Sequence, residues 1–246
     1  PNVPDFHQAG GVSAVMRELL PILHGDALTV TGKTIAENLA AAAAPNRAII
    51  KTMEDPWSKG GGLAVLHGNL APNTAVTKPA AIQPDMHTFT GKAHCFDSEE
   101  AANEAILQGK VIAGEVVVIR YEGPKGGPGM REMYKAMKLL YGRGLALTTA
   151  LITDGRFSGT NNGCFVGHIS PEAAEGGPLA IVENGDEITI DITERKLHLH
   201  LPDIEIQNRL AKWQRPAPKF KSGYLALYSR LAESADKGAI IRHKMD

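Results

Sequence analysis

The sequence is short of cysteine, aromatic residues and net charge. It contains two cysteines, Cys95 and Cys164, among 246 residues, and aromatic residues make up 5% of the chain. Two cysteines cannot form the disulfide network that staples small secreted domains, so we expect a reducing compartment such as the cytoplasm. Lys and Arg (26) nearly balance Asp and Glu (27). This balance removes the bulk electrostatic reason to expect a nucleic-acid partner.

Long hydrophobic runs and the residue pattern of a signal peptide are also missing from this sequence. No run approaches the roughly 20 apolar residues that cross a bilayer, so we expect no membrane partner. The first residues, Pro-Asn-Val-Pro-Asp, lack the basic and then apolar pattern of a signal peptide. Because the chain begins at proline and not at methionine, processing or truncation is expected. Its hydrophobic content of 43% suits one large domain, or one domain and part of another.

The hydrophobic pattern predicts helices near the two ends and short strands between them. Predicted helices cover residues 10–24, 34–44, 97–108, 204–213 and 225–235. Predicted strands cover 48–51, 63–67, 76–78, 91–96, 116–121, 150–153, 164–169, 179–183, 187–191 and 196–201. Asn184-Gly185-Asp186 predicts a hairpin turn. This order favours a mixed α and β fold, a β-barrel or sandwich with peripheral helices, over a Rossmann sheet.

One segment that suits chemistry better than packing runs from Arg120 to Glu132. Its centre, residues 123–129, holds four glycines and two prolines in seven positions. Such a loop can approach a ligand closely and present successive N–H groups to an anion. Glu122 and Glu132 near its ends offer oxygen ligands for Mg²⁺. A mobile surface turn with solvated charges explains the composition equally well.

A second such segment covers residues 151–163, where an apolar strand runs into a polar turn. Ser158 stands between Phe157 and Gly159, so its hydroxyl could be exposed on a tight bend. The Gly-x-Ser-x-Gly motif of hydrolases is missing. Without an evident histidine partner the serine needs another activator, and a metal ion is the natural candidate. For this segment alone, an ordinary polar β-turn is the favoured interpretation.

Together these segments resemble a known family. The strings that carry the resemblance are residues 26–34 (DALTVTGKT), 68–72 (GNLAP), 120–130 (RYEGPKGGPGM), 151–159 (LITDGRFSG) and 167–173 (GHISPEA). They resemble the dihydroxy-acid dehydratase/6-phosphogluconate dehydratase family, in that family's order, over residues 6–239. Five strings in sequence are far more specific than one motif.

The resemblance implies a fold and a reaction. Residues 1–45 would form the end of an N-terminal α/β domain, and residues 46–246 a C-terminal swivelling β-barrel of the β/β/α type with peripheral helices. The family dehydrates a 2,3-dihydroxy acid or a sugar acid to a 2-keto acid, using Mg²⁺ and an iron–sulfur cluster. Ser158 matches the catalytic base, Glu132 a magnesium ligand, and Thr160 a substrate contact. Glu122 is a weaker candidate for the metal shell.

The resemblance also implies what this chain lacks. The cluster cysteines belong to the missing N-terminal domain, so we expect an inactive fragment of a homodimeric enzyme. We interpret Cys95 and Cys164 as small buried hydrophobic residues. The preferred substrate is 2,3-dihydroxy-3-methylbutanoate, an intermediate of branched-chain amino-acid biosynthesis, and a sugar acid such as an aldonate or 6-phosphogluconate is the alternative. A swivelling phosphohistidine carrier or ligand-binding module, with His168 as its phosphorylated residue, is the alternative of another class.

Overall fold

The computed structural model of the protein describes residues 2–58, 60–157 and 162–241. Its contacts divide the chain into two compact units, residues 1–61 and residues 62–246. The domain boundary predicted at Pro45 concerns the full-length fold of the family, and it stays a prediction. No helix among the described residues has the length and apolar character that crossing a membrane requires.

The first unit is a small group of short helices. Helix α1 spans Val3–Gln8, α2 spans Gly11–Leu19 and α3 spans Ile35–Leu39. Capping boxes begin α1 and α3, with Asn2 and Thr34 as their N-cap residues. Ala9, Ala14 and Ile50 form the buried centre. Helix α2 confirms the helix predicted from residue 10, and the chain continues it as one 3₁₀ turn, Leu20–Ile22.

One prediction for this unit was right only in part, since α3 begins after Thr34 as predicted but is shorter, and another was wrong. The helix predicted over residues 34–44 ends at Leu39, because most of the alanines that follow are exposed and bury no apolar face. The strand predicted over residues 48–51 is a turn. The Asn46 carbonyl accepts the amides of Ile49 and Ile50, and its side chain accepts the amide of Ala48. These bonds close the turn, and residues 48–51 pair with no strand in the part of the chain that the structure describes.

The second unit is a closed barrel of eight strands. The strands are β1 (Ala64–Gly68), β2 (Ala71–Thr77), β3 (Thr88–Phe96), β4 (Glu115–Ile119), β5 (Ala150–Thr153), β6 (Cys164–Ser170), β7 (Glu187–Asp191) and β8 (Lys196–Leu199). Around the barrel their order is β1-β2-β6-β5-β4-β3-β7-β8. The neighbours β3, β4, β5 and β6 run parallel. Helices α4 (Glu99–Leu107), α5 (Tyr134–Gly142), α6 (Asp203–Lys212) and α7 (Gly223–Leu231) accompany it. The predicted mixed fold with a β-barrel and peripheral helices is confirmed.

The parallel strands are buried on both faces. Val116 and Val118 of β4 point into the barrel core with Ile152, whereas Val117 and Ile119 pack with side chains of α4 and α5. Parallel strands covered by helices read as continuous apolar runs, and β4 (Glu-Val-Val-Val-Ile) follows that rule. The barrel therefore fixes the ends of β4 and β5 rigidly.

The barrel closes at a narrow seam between β1 and β8. The two strands share one registered pair, His67 with Lys196. Near that pair the Asn69 side chain forms the two hydrogen bonds to β8 that a neighbouring strand would otherwise form. Its amide donates to the Leu199 carbonyl and its oxygen accepts the Leu199 amide, both at 2.8 Å. A Cβ at Gly68 would overlap the Leu197 carbonyl oxygen, so only glycine fits the close approach.

The hairpin predicted around residues 184–186 was wrong. Residues Pro178–Ile181 form a buried 3₁₀ turn, and no strand precedes Asn184 there. The Asn184 side chain accepts the amide of Cys95 on β3, and Arg120 donates to the Val182 carbonyl. The segment is therefore held by β3 and by the residue after β4. The actual hairpin joins β7 and β8.

Candidate active site

The two chemically suited segments begin at the same end of the barrel. Because β4 and β5 run parallel in register, from Val116 opposite Ala150 to Ile119 opposite Thr153, their carboxyl ends lie together. Arg120 begins the glycine-rich segment there, and Asp154 begins the polar turn. Side chains at such strand ends are placed by a rigid scaffold, which is typical of active sites.

The glycine-rich segment folds around two buried carboxylates. Asp154 accepts the amides of Tyr121 (3.2 Å), Glu122 (2.9 Å) and Ala173 (2.9 Å). Glu172 accepts the amides of Lys125 (2.9 Å) and Gly126 (2.8 Å). The successive N–H groups at residues 125 and 126 thus bind an anion, as their sequence suggested, but the anion is a side chain of the protein.

The glycines of this segment make room for side chains of the protein. A Cβ at Gly123 would lie 2.7 Å from Oε2 of Glu172, and one at Gly127 would lie 2.6 Å from Oε2 of Glu122. Real Cβ atoms do not approach that closely, so larger residues would displace the carboxylates. The sequence predicted a loop backbone that approaches a ligand closely. In this structure the loop backbone makes its close approaches to Glu122 and Glu172.

Glu122 is enclosed at the start of the segment and is 1% exposed. Its Oε1 accepts the amide of Glu99 at 3.0 Å and lies 3.1 Å from the Lys219 ammonium and 3.4 Å from the Arg131 guanidinium. Its Oε2 is buried and has no hydrogen-bond partner among the described residues. In this arrangement Glu122 pairs with two cations through Oε1, and its role as a metal ligand stays a prediction.

Glu132 is exposed, and its backbone pairs with the polar turn. It forms a parallel bridge with Arg156, the Met133 amide donates to the Arg156 carbonyl at 2.7 Å, and Arg156 Nε donates to the Met130 carbonyl. The end of one segment therefore lies alongside the other. Ser158 and Thr160, the predicted base and substrate contact, lie outside the described residues, so whether they share a site with Glu132 stays a prediction.

A cavity of about 280 Å³ adjoins both segments. Its lining includes Met130, Arg156, His168 and Tyr228. His168 has a positive φ of 55° and donates its amide to the Gly155 carbonyl at 2.7 Å. Burial, and then the charge of Arg156, lower the pKa of His168, so its surroundings favour the neutral imidazole over the imidazolium.

The two cysteines are poor metal ligands. Cys164 is buried in the barrel core and Cys95 is partly buried beside it. Burial raises the pKa of each thiol to about 12, and thiolates are the form that binds iron. Within residues 2–58, 60–157 and 162–241, no three His, Cys, Asp or Glu side chains group as a metal site would require. Glu132 suits one position of a Mg²⁺ shell by its chemistry, and the remaining ligands would come from elsewhere.

Asp154 and Glu172 were not predicted as site residues, although both lie in strings that carry the family resemblance. The usable signal was an acidic residue after a buried strand: Asp154 directly follows β5, and Glu172 comes two positions after β6. An acidic residue there must find donors or stay exposed. The loop that supplies those donors could not be identified without the three-dimensional fold.

The burial of Glu172 gives the protein a testable pH dependence. Burial raises the pKa of its carboxyl from 4.5 to about 7, against the opposing effect of the Gly126 amide. The folded chain then binds more protons than the unfolded chain between these values, so this group lowers stability as the pH rises from about 4.5 to about 7. Glutamine cannot ionise, so the free energy of unfolding of Glu172→Gln should fall less across that window than that of the wild type. We expect the difference between the two proteins to be at most about 3 kcal/mol.

Urea unfolding at pH values from 4.5 to 8 measures this difference. Glu175→Gln is the matched control, because Glu175 is a nearby carboxylate that pairs with the Lys125 and Arg215 side chains. The control should keep most of the wild-type slope, because the Glu175 charge is the smallest of the effects that raise the pKa of Glu172. Parallel slopes for the wild type and Glu172→Gln would show that Glu172 does not titrate in this way.

Comparison with known proteins decides the family. The model of the dihydroxy-acid/6-phosphogluconate dehydratase C-terminal domain matches residues 48–239, and the N-terminal model of the same family matches residues 1–38. The chain belongs to this dehydratase family. The resemblance found in the five sequence strings is confirmed.

Curated relatives agree with the dehydratase family. The chain is 56% identical over 243 residues to the dihydroxy-acid dehydratase of Caldanaerobacter subterraneus subsp. tengcongensis, with 98% of this chain covered. It is 53% identical over 245 residues to that of Acetivibrio thermocellus, with 99% covered, and 51% identical over 242 residues to that of Aquifex aeolicus, with 98% covered. In each case the match spans 44% of the relative's length.

Proposed function

We propose that this chain is the C-terminal part of a hydro-lyase that dehydrates a 2,3-dihydroxy acid to a 2-keto acid. The observation that carries the proposal is the pairing of Glu132 with Arg156. It brings the segment with the family's metal-binding glutamate beside the turn that leads to Ser158. The relatives at 51–56% identity are named dihydroxy-acid dehydratases, which favours this acid class over others.

Ser158 is the proposed base. As an alkoxide it takes the proton from C2 of the substrate and becomes a hydroxyl, while the C3–O bond breaks and an enol remains. The departing oxygen takes up one proton and leaves as water, the serine gives up the proton that it took, and the enol tautomerises to the 2-keto acid. A proton beside a carboxylate is a weak acid, so the charge that develops needs stabilisation at the moment of transfer. Thr160 is the proposed substrate contact, two positions further along the chain.

Mg²⁺ and an iron–sulfur cluster are the proposed cofactors. When bound, they supply positive charge to the substrate's carboxylate end and to the departing hydroxyl. This chain would contribute Glu132 to the Mg²⁺ shell, and Glu122 would contribute its Oε2, since its Oε1 already pairs with the Glu99 amide and the Lys219 ammonium. The other Mg²⁺ ligands and the cluster cysteines would lie in the N-terminal domain of the full-length protein.

The acidic substrate suits the charge around the glycine-rich segment. A cavity of about 690 Å³ is lined by Tyr121, Lys125 and Gly126 of that segment, by four further cationic side chains, Arg215, Lys219, Lys221 and Arg230, and by the acidic Asp97. Three of these cations already pair with Glu175 or Glu122. We propose 2,3-dihydroxy-3-methylbutanoate as the substrate, with an aldonate or 6-phosphogluconate as the alternative. We also propose a homodimer in the cytoplasm, in the biosynthesis of branched-chain amino acids.

The proposal predicts that this chain alone contains no iron and forms no keto acid. Iron–sulfur clusters need several thiolates, and this chain has two cysteines, one in the barrel core and one packed against it. Joined to the family's N-terminal domain, the same chain should convert 2,3-dihydroxy-3-methylbutanoate faster than an aldonate. Iron analysis and a keto-acid assay of the two proteins measure this. Stoichiometric cluster iron in the chain alone would contradict the assignment of the cysteines, and faster turnover of the aldonate would favour the alternative substrate.

A further inference from the structure

The glycine-rich segment is held at both of its ends. At its beginning, Asp154 and Glu172 bind four of its backbone amides, those of residues 121, 122, 125 and 126. At its end, the Arg156 side chain donates to the Met130 carbonyl, and the Arg156 backbone forms a parallel β-bridge with Glu132. Glu132 is therefore the last residue of a loop whose path is set by internal hydrogen bonds.

Each carboxylate joins elements that are distant in the sequence. Asp154 follows β5 and also binds the amide of Ala173, which follows β6. Glu172 also follows β6, and its carboxylate reaches the centre of the loop that follows β4. The pair thus connects the ends of three parallel strands. A displacement of either carboxylate would shift the loop relative to the polar turn.

The loop depends on these particular acceptors. Asp154 and Glu172 are 0% and 1% exposed, so water cannot replace them easily. At Asp154 the two oxygens accept different amides, so an isosteric asparagine would turn its NH₂ group toward at least one backbone N–H. At Glu172 one oxygen accepts both loop amides and the other also accepts that of Lys125, so a glutamine would weaken these bonds by removing the charge and the second acceptor. The absence of Cβ atoms at Gly123 and Gly126 keeps the loop against Glu172 and Tyr121.

We propose that Asp154 and Glu172 are positioning residues that set the place of Glu132 by serving as the internal hydrogen-bond acceptors of the glycine-rich loop. They act through the loop backbone and touch neither substrate nor metal. This inference rests on the proposed function, because the consequence of a displaced Glu132 is weaker binding of Mg²⁺. Loss of a partner that orients a metal ligand typically weakens metal binding or activity about 10–100-fold.

The first test measures the loop in the 246-residue chain itself. Hydrogen exchange followed by mass spectrometry should show slow exchange of the Lys125 and Gly126 amides in the wild type and fast exchange in Glu172→Gln. Glu172→Asp keeps the charge and should recover part of the protection. Glu175→Gln removes a salt bridge to the Lys125 side chain but no bond to the loop backbone, so it should match the wild type.

The second test measures turnover against Mg²⁺ concentration in the full-length protein. We expect Asp154→Asn and Glu172→Gln to raise the half-saturating Mg²⁺ concentration about tenfold or more, with excess Mg²⁺ restoring turnover. Glu172→Asp should lie between these variants and the wild type. A purely structural role would lower the amount of active enzyme equally at every Mg²⁺ concentration.

The outcomes separate this inference from the proposed function. If Glu172→Gln exchanges its loop amides quickly but keeps the wild-type Mg²⁺ dependence, the positioning role is wrong. Unchanged exchange in both Glu172→Gln and Asp154→Asn would also overturn it. If Glu172→Gln does not fold, Glu172→Asp and Asp154→Asn decide by the same two measurements. A wild-type protein that binds Mg²⁺ but dehydrates no dihydroxy acid would instead refute the function, and Mg²⁺ binding by the variants would still test the positioning.

Discussion

Ser158→Ala in the full-length protein should nearly abolish turnover while leaving the fold, the cluster and substrate affinity intact. The substitution removes one hydroxyl, the proposed base. Loss of a general base typically lowers the rate about 10²–10⁴-fold, and here water would have to deprotonate a weak carbon acid. The turnover number at saturating substrate measures the loss, and the cluster absorbance confirms that the protein is loaded. Added Mg²⁺ should restore nothing, because the missing group is not a metal ligand.

His168→Ala is the control for that experiment. His168 lines the cavity beside Arg156, and it is the residue on which a phosphohistidine carrier would depend. The dehydratase proposal expects turnover to depend far more on Ser158 than on His168, and the carrier alternative expects phosphate transfer that depends on His168 alone. Near-normal turnover of Ser158→Ala would refute the mechanism whatever the family membership implies.

Glu132→Gln should weaken Mg²⁺ binding and turnover together. Glutamine keeps the shape of the side chain but removes the charge that a hard cation prefers. The half-saturating Mg²⁺ concentration should rise and excess Mg²⁺ should restore part of the activity, which distinguishes this variant from Ser158→Ala. Turnover measured as a function of Mg²⁺ concentration gives both quantities.

Glu100→Gln is the matched control for Glu132→Gln. Glu100 pairs with Arg131, the residue before Glu132, at 2.8 Å, and its side chain is 65% exposed. Exposed ion pairs contribute little, so we expect its Mg²⁺ dependence to stay within about twofold of the wild type. A rise in the half-saturating concentration for Glu100→Gln equal to that for Glu132→Gln would mean that local charge, and not coordination, explains the effect.

The barrel strands were largely predictable because their signals are local. The apolar runs of β4, β5 and β6 and the alternation in β7 appear directly in the sequence. The strand predicted at residues 179–183 failed because long-range contacts decide its conformation: Arg120 and Cys95 use the carbonyl of Val182. A local apolar pattern does not show whether a segment has a strand to pair with.

The site was predictable in its residue types but not in its geometry. Glycines and glutamates between residues 122 and 132 indicated a loop with close approaches, and the loop makes them. That its amides bind Glu172, 46 positions beyond Gly126, required the fold. The pairing of Glu132 with Arg156 likewise depends on the parallel register of β4 and β5, which no sequence spacing specifies.

The narrow seam between β1 and β8 also bears on aggregation. A closed barrel offers no edge strand to which another chain could add, and here that closure depends on one registered pair and the Asn69 amide. If the seam opens, β1 and β8 both become edges in a single step, each with a row of unsatisfied backbone groups. The protection of this barrel against chain-to-chain strand addition is therefore concentrated at Gly68 and Asn69 and not spread around the sheet.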